Sequence, residues 1–222
     1  MIVVRMKEYQ PMAKTDHKIT TYLFAFMLSF GAQTSTAQVS IGPNVGLNWT
    51  HFSIDHNYLL GTPLMGSSFG AIAQLPLNGI LSIRVEPSYI QKGIQWPFGG
   101  EGPTSYLINS YFNYFQLPIE LKANLPIPVV SPYILVGPNI GYLLSAKQGL
   151  AGSTPQEDIT DDYQKVDCAL DFGAGLDFGI TPFTTASCNV KYSSGLLIKG
   201  KTSVIDLQTH GVQIYISVLF SI

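Results

Sequence analysis

The sequence predicts an all-β fold: an eight-stranded antiparallel up-and-down transmembrane β-barrel with a polar, side-chain-filled interior. Three observations carry that expectation. Eight segments alternate apolar and polar residues with a period of two, the spacing that sends successive side chains to opposite faces of a strand. Short and long connections between those segments alternate without exception. Charged residues are only 12% of the 222-residue chain, against roughly 25% in a typical soluble domain, and inside the segments they share one parity.

The first segment, Val39 to Phe52, sets Val39, Ile41, Val45, Leu47 and Trp49 against Ser40, Gly42, Asn44, Gly46, Asn48 and Thr50. Phe69 to Leu77 follows, then Ile80 to Ile90, where Leu81, Ile83, Val85 and Tyr89 oppose Ser82, Arg84, Glu86 and Ser88. Tyr111 to Leu125 sets Phe115, Leu117, Ile119 and Leu121 against Gln116, Glu120, Lys122 and Asn124. Tyr133 to Lys147 alternates more weakly. The sixth segment, Asp167 to Ile180, reads "DCALDFGAGLDFGI", with three aspartates and three glycines on one parity and apolar residues between them. Thr184 to Leu196 and His210 to Ile222 complete the set. Segments of nine to fifteen residues exceed the usual five or six of a soluble strand. They suit the roughly 9–11 residues that a tilted strand needs to cross a bilayer.

The shorter connections are Asn78–Gly79, Pro126 to Pro132 and Thr181 to Phe183. Longer polar loops are expected around Ser53 to Met65, Gly93 to Ile108, Gln148 to Gln164 and Leu197 to Thr209. Outer-membrane barrels show this asymmetry, with short periplasmic turns and longer external loops. The expectation is therefore a chain in the cell outer membrane, in contact with its lipid, with both termini periplasmic.

Eight ionisable residues within the segments share the polar parity: Arg84, Glu86, Glu120, Lys122, Asp167, Asp171, Asp177 and Lys191. Charges facing lipid are costly, whereas charges inside can pair. They are expected to form a structural polar network in the lumen, with glycines on the same parity making room for large partners such as Arg84, Tyr114 and Tyr215. An eight-stranded barrel is just wide enough to be filled by side chains. A soluble barrel with an inward apolar face is the competing fold, disfavoured because so few charges would leave its exterior poorly soluble.

The N-terminus differs. Lys14 and Lys18 precede the apolar run Ile19 to Ala32, and Ser35 and Ala37 stand at the −3 and −1 positions of a cleavage site before Gln38. Residues 1–37 read as a secretory signal peptide, with translation starting at Met1 or Met12, and residues 38–222 as the barrel domain. Cleavage would leave 8 basic and 12 acidic residues, with no basic cluster to attract nucleic acid. Export permits disulfides. A hairpin about Thr181 to Phe183 pairs Cys188 with a residue near Leu176, however, which keeps Cys168 out of bonding reach.

Motifs along most of the mature chain resemble the PorT-like outer-membrane β-barrels of Bacteroidetes, the outer membrane protein beta-barrel domain group. They are "VGLNWTHF", "LSIRVEPSYIQKG", "YFQLPIELKANLP", "SPYILVGPNIGYLLSAK", "DFGAGLDFGI" and "VKYSSGLL". The resemblance implies a small outer-membrane barrel, in a family named for a member tied to type IX secretion and gliding, with other envelope or secretion proteins as partners. One departure is the ending, where Phe220 is followed by Ser221 and Ile222 rather than closing the chain.

Catalytic sets are thin. His51 and Ser53 have the spacing of a lipid hydrolase pair, with Asp55 near in sequence, and the bland reading is a polar strand end entering a loop. Glu157, Asp158, Asp161 and Asp162 lack the glycine and ligand spacing of a calcium loop. No cofactor or metal motif appears. The expectation is a non-enzymatic structural or adaptor-like barrel; a narrow small-solute channel and an outer-membrane lipid hydrolase are the alternatives.

Overall fold

A computed structural model describes residues 38–54, 58–99, 106–125, 127, 129–153, 156–199 and 206–222. The expected signal segment 1–37, with both candidate start residues, and Asp55 lie outside the described residues. The strands are β1 (Ser40–Ile54), β2 (Tyr58–Leu60), β3 (Thr62–Pro76), β4 (Leu81–Val85), β5 (Ser88–Phe98) and β6 (Tyr106–Asn124). They continue with β7 (Val130–Leu150), β8 (Glu157–Asp158), β9 (Val166–Thr181), β10 (Thr184–Lys199) and β11 (Asp206–Ser221). β4 and β5 are one stave. Ala73 pairs with Val85 before the break and Gly70 with Ser88 after it, in unchanged register. Pro87 merely lacks an N–H for the ladder.

Eight staves therefore form a ring in which every neighbour is antiparallel, and β1 pairs with both β3 and β11 to close it. Closure leaves no open sheet edge, the condition for strands to lie in hydrocarbon. The short connections β3–β4, β6–β7 and β9–β10 join staves at the end that also carries Val39 and Ile222. At Asn78 the turn is held by its side chain, whose Oδ1 accepts the amides of Ile80 at 2.8 Å and Leu81 at 2.7 Å.

At the opposite end the staves run further than the alternation indicated. β3 begins at Thr62, β5 ends at Phe98, β6 begins at Tyr106 and β7 reaches Leu150, so much of the loops expected around Ser53 to Met65 and Gly93 to Ile108 is strand. β7 also changes parity. Tyr114 pairs with Leu143 but Asn113 with Ser145, so Leu144 is an extra residue in a bulge. Inward positions are odd-numbered before it and include Ala146 after it, which accounts for the weak alternation of this segment.

The outer face is apolar. Phe69, Ile134, Val190, Ile216 and Phe220 are among its exposed side chains. From His210 to Phe220, strand rise at about 3.3 Å per residue and a tilt of about 40° give a band about 25 Å tall, the height of the hydrocarbon layer such barrels span. Cys188 pairs with Leu176 and Cys168 with Leu197. Both thiols are free, Cys168 exposed and Cys188 half-buried.

Candidate functional site

The lumen is the candidate site. A period of two sends alternate residues of each stave inward, and the ring's small diameter brings distant strands together there. At mid-height Lys191 on β10 reaches Glu86, between β4 and β5, at 2.5 Å and Glu120 on β6 at 2.8 Å. Arg84 forms an ion pair with Glu86, and its Nη1 donates to the Tyr133 hydroxyl at 3.2 Å. The Tyr133 hydroxyl also meets Ser187 Oγ at 2.8 Å. All five ionic and phenolic groups are buried. This set ties β4, β6, β7 and β10 across the bore.

Nearer the turns, Lys122 forms an ion pair with Asp177, donates to Gln74 Oε1 at 3.0 Å and lies 4.1 Å from the centre of the Tyr133 ring. Toward the other end, Asp171 accepts from Ser193 Oγ at 2.6 Å and Asn139 Nδ2 at 2.9 Å. Asp167 there meets Lys92 at 3.4 Å. The structure thus places Arg84, Glu86, Glu120 and Lys191 in one cluster, Lys122 with Asp177, and Asp167 and Asp171 separately. The alternating segment Ile80 to Ile90 stops short of Lys92, yet the inward parity of Arg84, Glu86 and Ser88 continues to it. Glycines floor the large side chains: a Cβ on Gly175 would lie 2.5 Å from the Tyr133 ring, and one on Gly46 2.6 Å from the Tyr215 ring.

The lumen is not polar throughout. Around Lys92 the inward residues include Phe52, Ile90, Ile94, Phe112, Leu143 and Ala146, an apolar cluster covered by Ile159 and Tyr163 from the β7–β9 connection. Tyr163 meets Phe112 edge-on at 5.1 Å. Thr160 Oγ1 accepts the Ala146 amide at 2.8 Å and the Ile159 amide donates to the Ala146 carbonyl at 2.9 Å, pinning the connection down. Burial, with a smaller contribution from Asp162, raises the Tyr163 hydroxyl's pKa. The hydroxyl and amide of Thr160 hold the exposed Asp158 carboxyl below its ordinary range.

The other candidates lie outside the lumen. His51 faces outward, directly across from His210, whose Nδ1 is 3.4 Å from Ser194 Oγ. Glu157 and Asp158 form β8 against Lys147 and Gln148, and Asp161 pairs with Lys165 at 3.4 Å. These groups do not converge on the luminal cluster.

Residues 31–197 match the family profile described as "Outer membrane protein beta-barrel domain". No curated protein matches the chain significantly in sequence. Among solved structures, Ail of Yersinia pestis is 18% identical, covering 82% of this chain and 99% of its own, with a TM-score of 0.44. Neisserial surface protein A is 13% identical over 82% of this chain and 97% of its own, with a TM-score of 0.48. OprG from Pseudomonas aeruginosa is 10% identical over 84% and 96%, with a TM-score of 0.49.

Proposed function

The chain belongs to the outer membrane protein beta-barrel domain family, and from that premise we propose that it is a non-enzymatic structural or adaptor protein of the cell envelope whose lumen passes no solute. The carrying observation is the Lys191 bridge between Glu86 and Glu120 at mid-height, backed by the apolar cluster at one end. An ion moving through the bore would have to part buried ion pairs and then squeeze past the packed apolar cluster around Lys92, both costly. With transport closed off, contact surfaces remain as the working parts. The proposal puts both termini and the short turns in the periplasm, the long connections outside, and the partners among envelope proteins, secretion components of the PorT-like kind included.

Planar-bilayer recording with the purified full chain tests it. The expected result is a quiet membrane; sustained open currents would overturn the closed-lumen reading in favour of a channel. Affinity purification from native outer membranes tests the adaptor role, and recovery of lipid alone would overturn it.

A further inference from the structure

The outward face of β5, β6 and β7 changes chemistry within one residue pair. Phe69, Tyr89, Phe115 and Tyr142 are direct cross-strand partners and form an outward aromatic row, with Phe69 and Tyr89 ring centres 5.1 Å apart. On the turn side of this row the outward positions are apolar. On the other side stand Gln91, Asn113 and Ser145 in one row, then Tyr111 and Lys147, then Gln95 and Asn109. Aromatic rings at such a border mark the edge of the hydrocarbon, so the row of Gln91, Asn113 and Ser145 directly above it stands at headgroup height. From Tyr89 to Gln95 the wall rises about 15 Å at strand spacing and tilt.

This wall is a ladder of neutral hydrogen-bonding groups. Gln91 Nε2 donates to Asn113 Oδ1 at 3.3 Å, Asn113 Nδ2 to Ser145 Oγ at 2.9 Å, and Gln95 Nε2 to Asn109 Oδ1 at 2.8 Å. Asn109 Nδ2 reaches the Tyr111 hydroxyl at 3.5 Å. A primary amide carries two N–H donors and an oxygen with two lone pairs, more than these contacts consume. Water alone would be met more cheaply by charge, yet the row next to the aromatic rings, Gln91, Asn113 and Ser145, carries none, and the charges of the following row are the opposed cross-strand pair Lys147 and Asp158. A phosphate headgroup calls for several cations. A sugar calls for paired donors and acceptors beside an aromatic ring, and Gln91, Asn113, Asn109, Gln95 and Tyr111 provide them.

We infer that the amide ladder on the outer wall of β5–β7 docks the neutral sugar headgroup of a membrane glycolipid. The occupant follows from the continuity of the Gln91, Asn113 and Ser145 row with the lipid-facing band and from that row's lack of charge, and holds whichever end faces the cell exterior. The test embeds the full chain in phosphatidylethanolamine nanodiscs containing a minor fraction of either galactosyldiacylglycerol or phosphatidylglycerol with the same acyl chains. Native mass spectrometry then reads the lipid retained on the released barrel. The galactolipid should be retained at least about fivefold over phosphatidylglycerol. A Gln91→Leu, Asn113→Leu double variant should lose that preference and Asn113→Gln should keep it, with heat-modified gel mobility confirming that each barrel folds. Equal retention of the two lipids by the wild type, or preference for phosphatidylglycerol, overturns the inference whatever the variants do. A folded double variant that keeps the galactolipid preference overturns it as well.

Discussion

Replacing Lys191 with methionine removes the one cation that joins Glu86 and Glu120 while keeping the length of the side chain. Its Nζ lies 2.5 Å from Glu86 Oε2 and 2.8 Å from Glu120 Oε1, and all three side chains are buried. Glu86 retains its ion pair with Arg84, but Glu120 loses its ion-pair partner. Breaking a buried pair by deleting one member costs about 3–5 kcal/mol, because the surviving charge stays desolvated. That loss shifts the folding equilibrium by a factor of at least about 100. Adding Glu120→Gln removes the stranded charge, so the double variant should recover most of the loss and end within about 1–2 kcal/mol of the wild type. Urea titration of the barrel folding into lipid vesicles, followed by tryptophan fluorescence and gel mobility, measures all three proteins. A single variant within about 1 kcal/mol of the wild type, or a double variant no better than the single, would refute the network as a desolvated ionic assembly.

Two further outcomes follow from the same geometry. Ile216→Lys, on the exposed outer face near the middle of β11, should cost about 2–4 kcal/mol in vesicle-folding titrations, whereas an exposed site on a soluble sheet would shift by less than about 0.5 kcal/mol. The Asp158 carboxyl, held low by Thr160, contributes its contact at pH values above the ordinary aspartate range and loses it as pH falls through the lowered value. The Asp158 titration midpoint, read by carboxyl-carbon NMR, should therefore rise part of the way toward that range in Thr160→Val, which keeps the amide; an unchanged midpoint would show that the Thr160 hydroxyl is not a cause.

Residues facing hydrocarbon were legible as strands because apolar-out and polar-in alternation is imposed on every stave that crosses it. Cys188 illustrates the reach of that logic: counting back from the turn at Thr181 to Phe183 leads to Leu176, its partner in the sheet. The outer thirds of β3, β5, β6 and β7 were not legible, for a physical reason. Past the aromatic row the polarity inverts, with Gln91 and Asn113 outward and Ile94 and Phe112 inward, so the alternation changes sign and reads as loop. The bulge at Leu144 breaks the parity of β7 in the same region. In the lumen, parity identifies which ionisable groups share a face but not who meets whom. Lys191 reaches Glu86 across 105 residues of sequence, a pairing set by the stagger of the staves. The role of Tyr133, which joins Arg84, Ser187 and Lys122, likewise depends on Gly175 lying beneath its ring.

Spin labels placed singly from Val212 to Phe220 on β11, in vesicles, test most directly that this wall separates hydrocarbon from a filled lumen. Collisions with dissolved oxygen should be frequent at positions 212, 214, 216, 218 and 220, and a water-soluble nickel chelate should reach none of them. At 213, 215, 217 and 219 both reagents should be excluded. Nickel quenching along the outward set would contradict a lipid-facing exterior, and nickel quenching along the inward set would contradict a packed core.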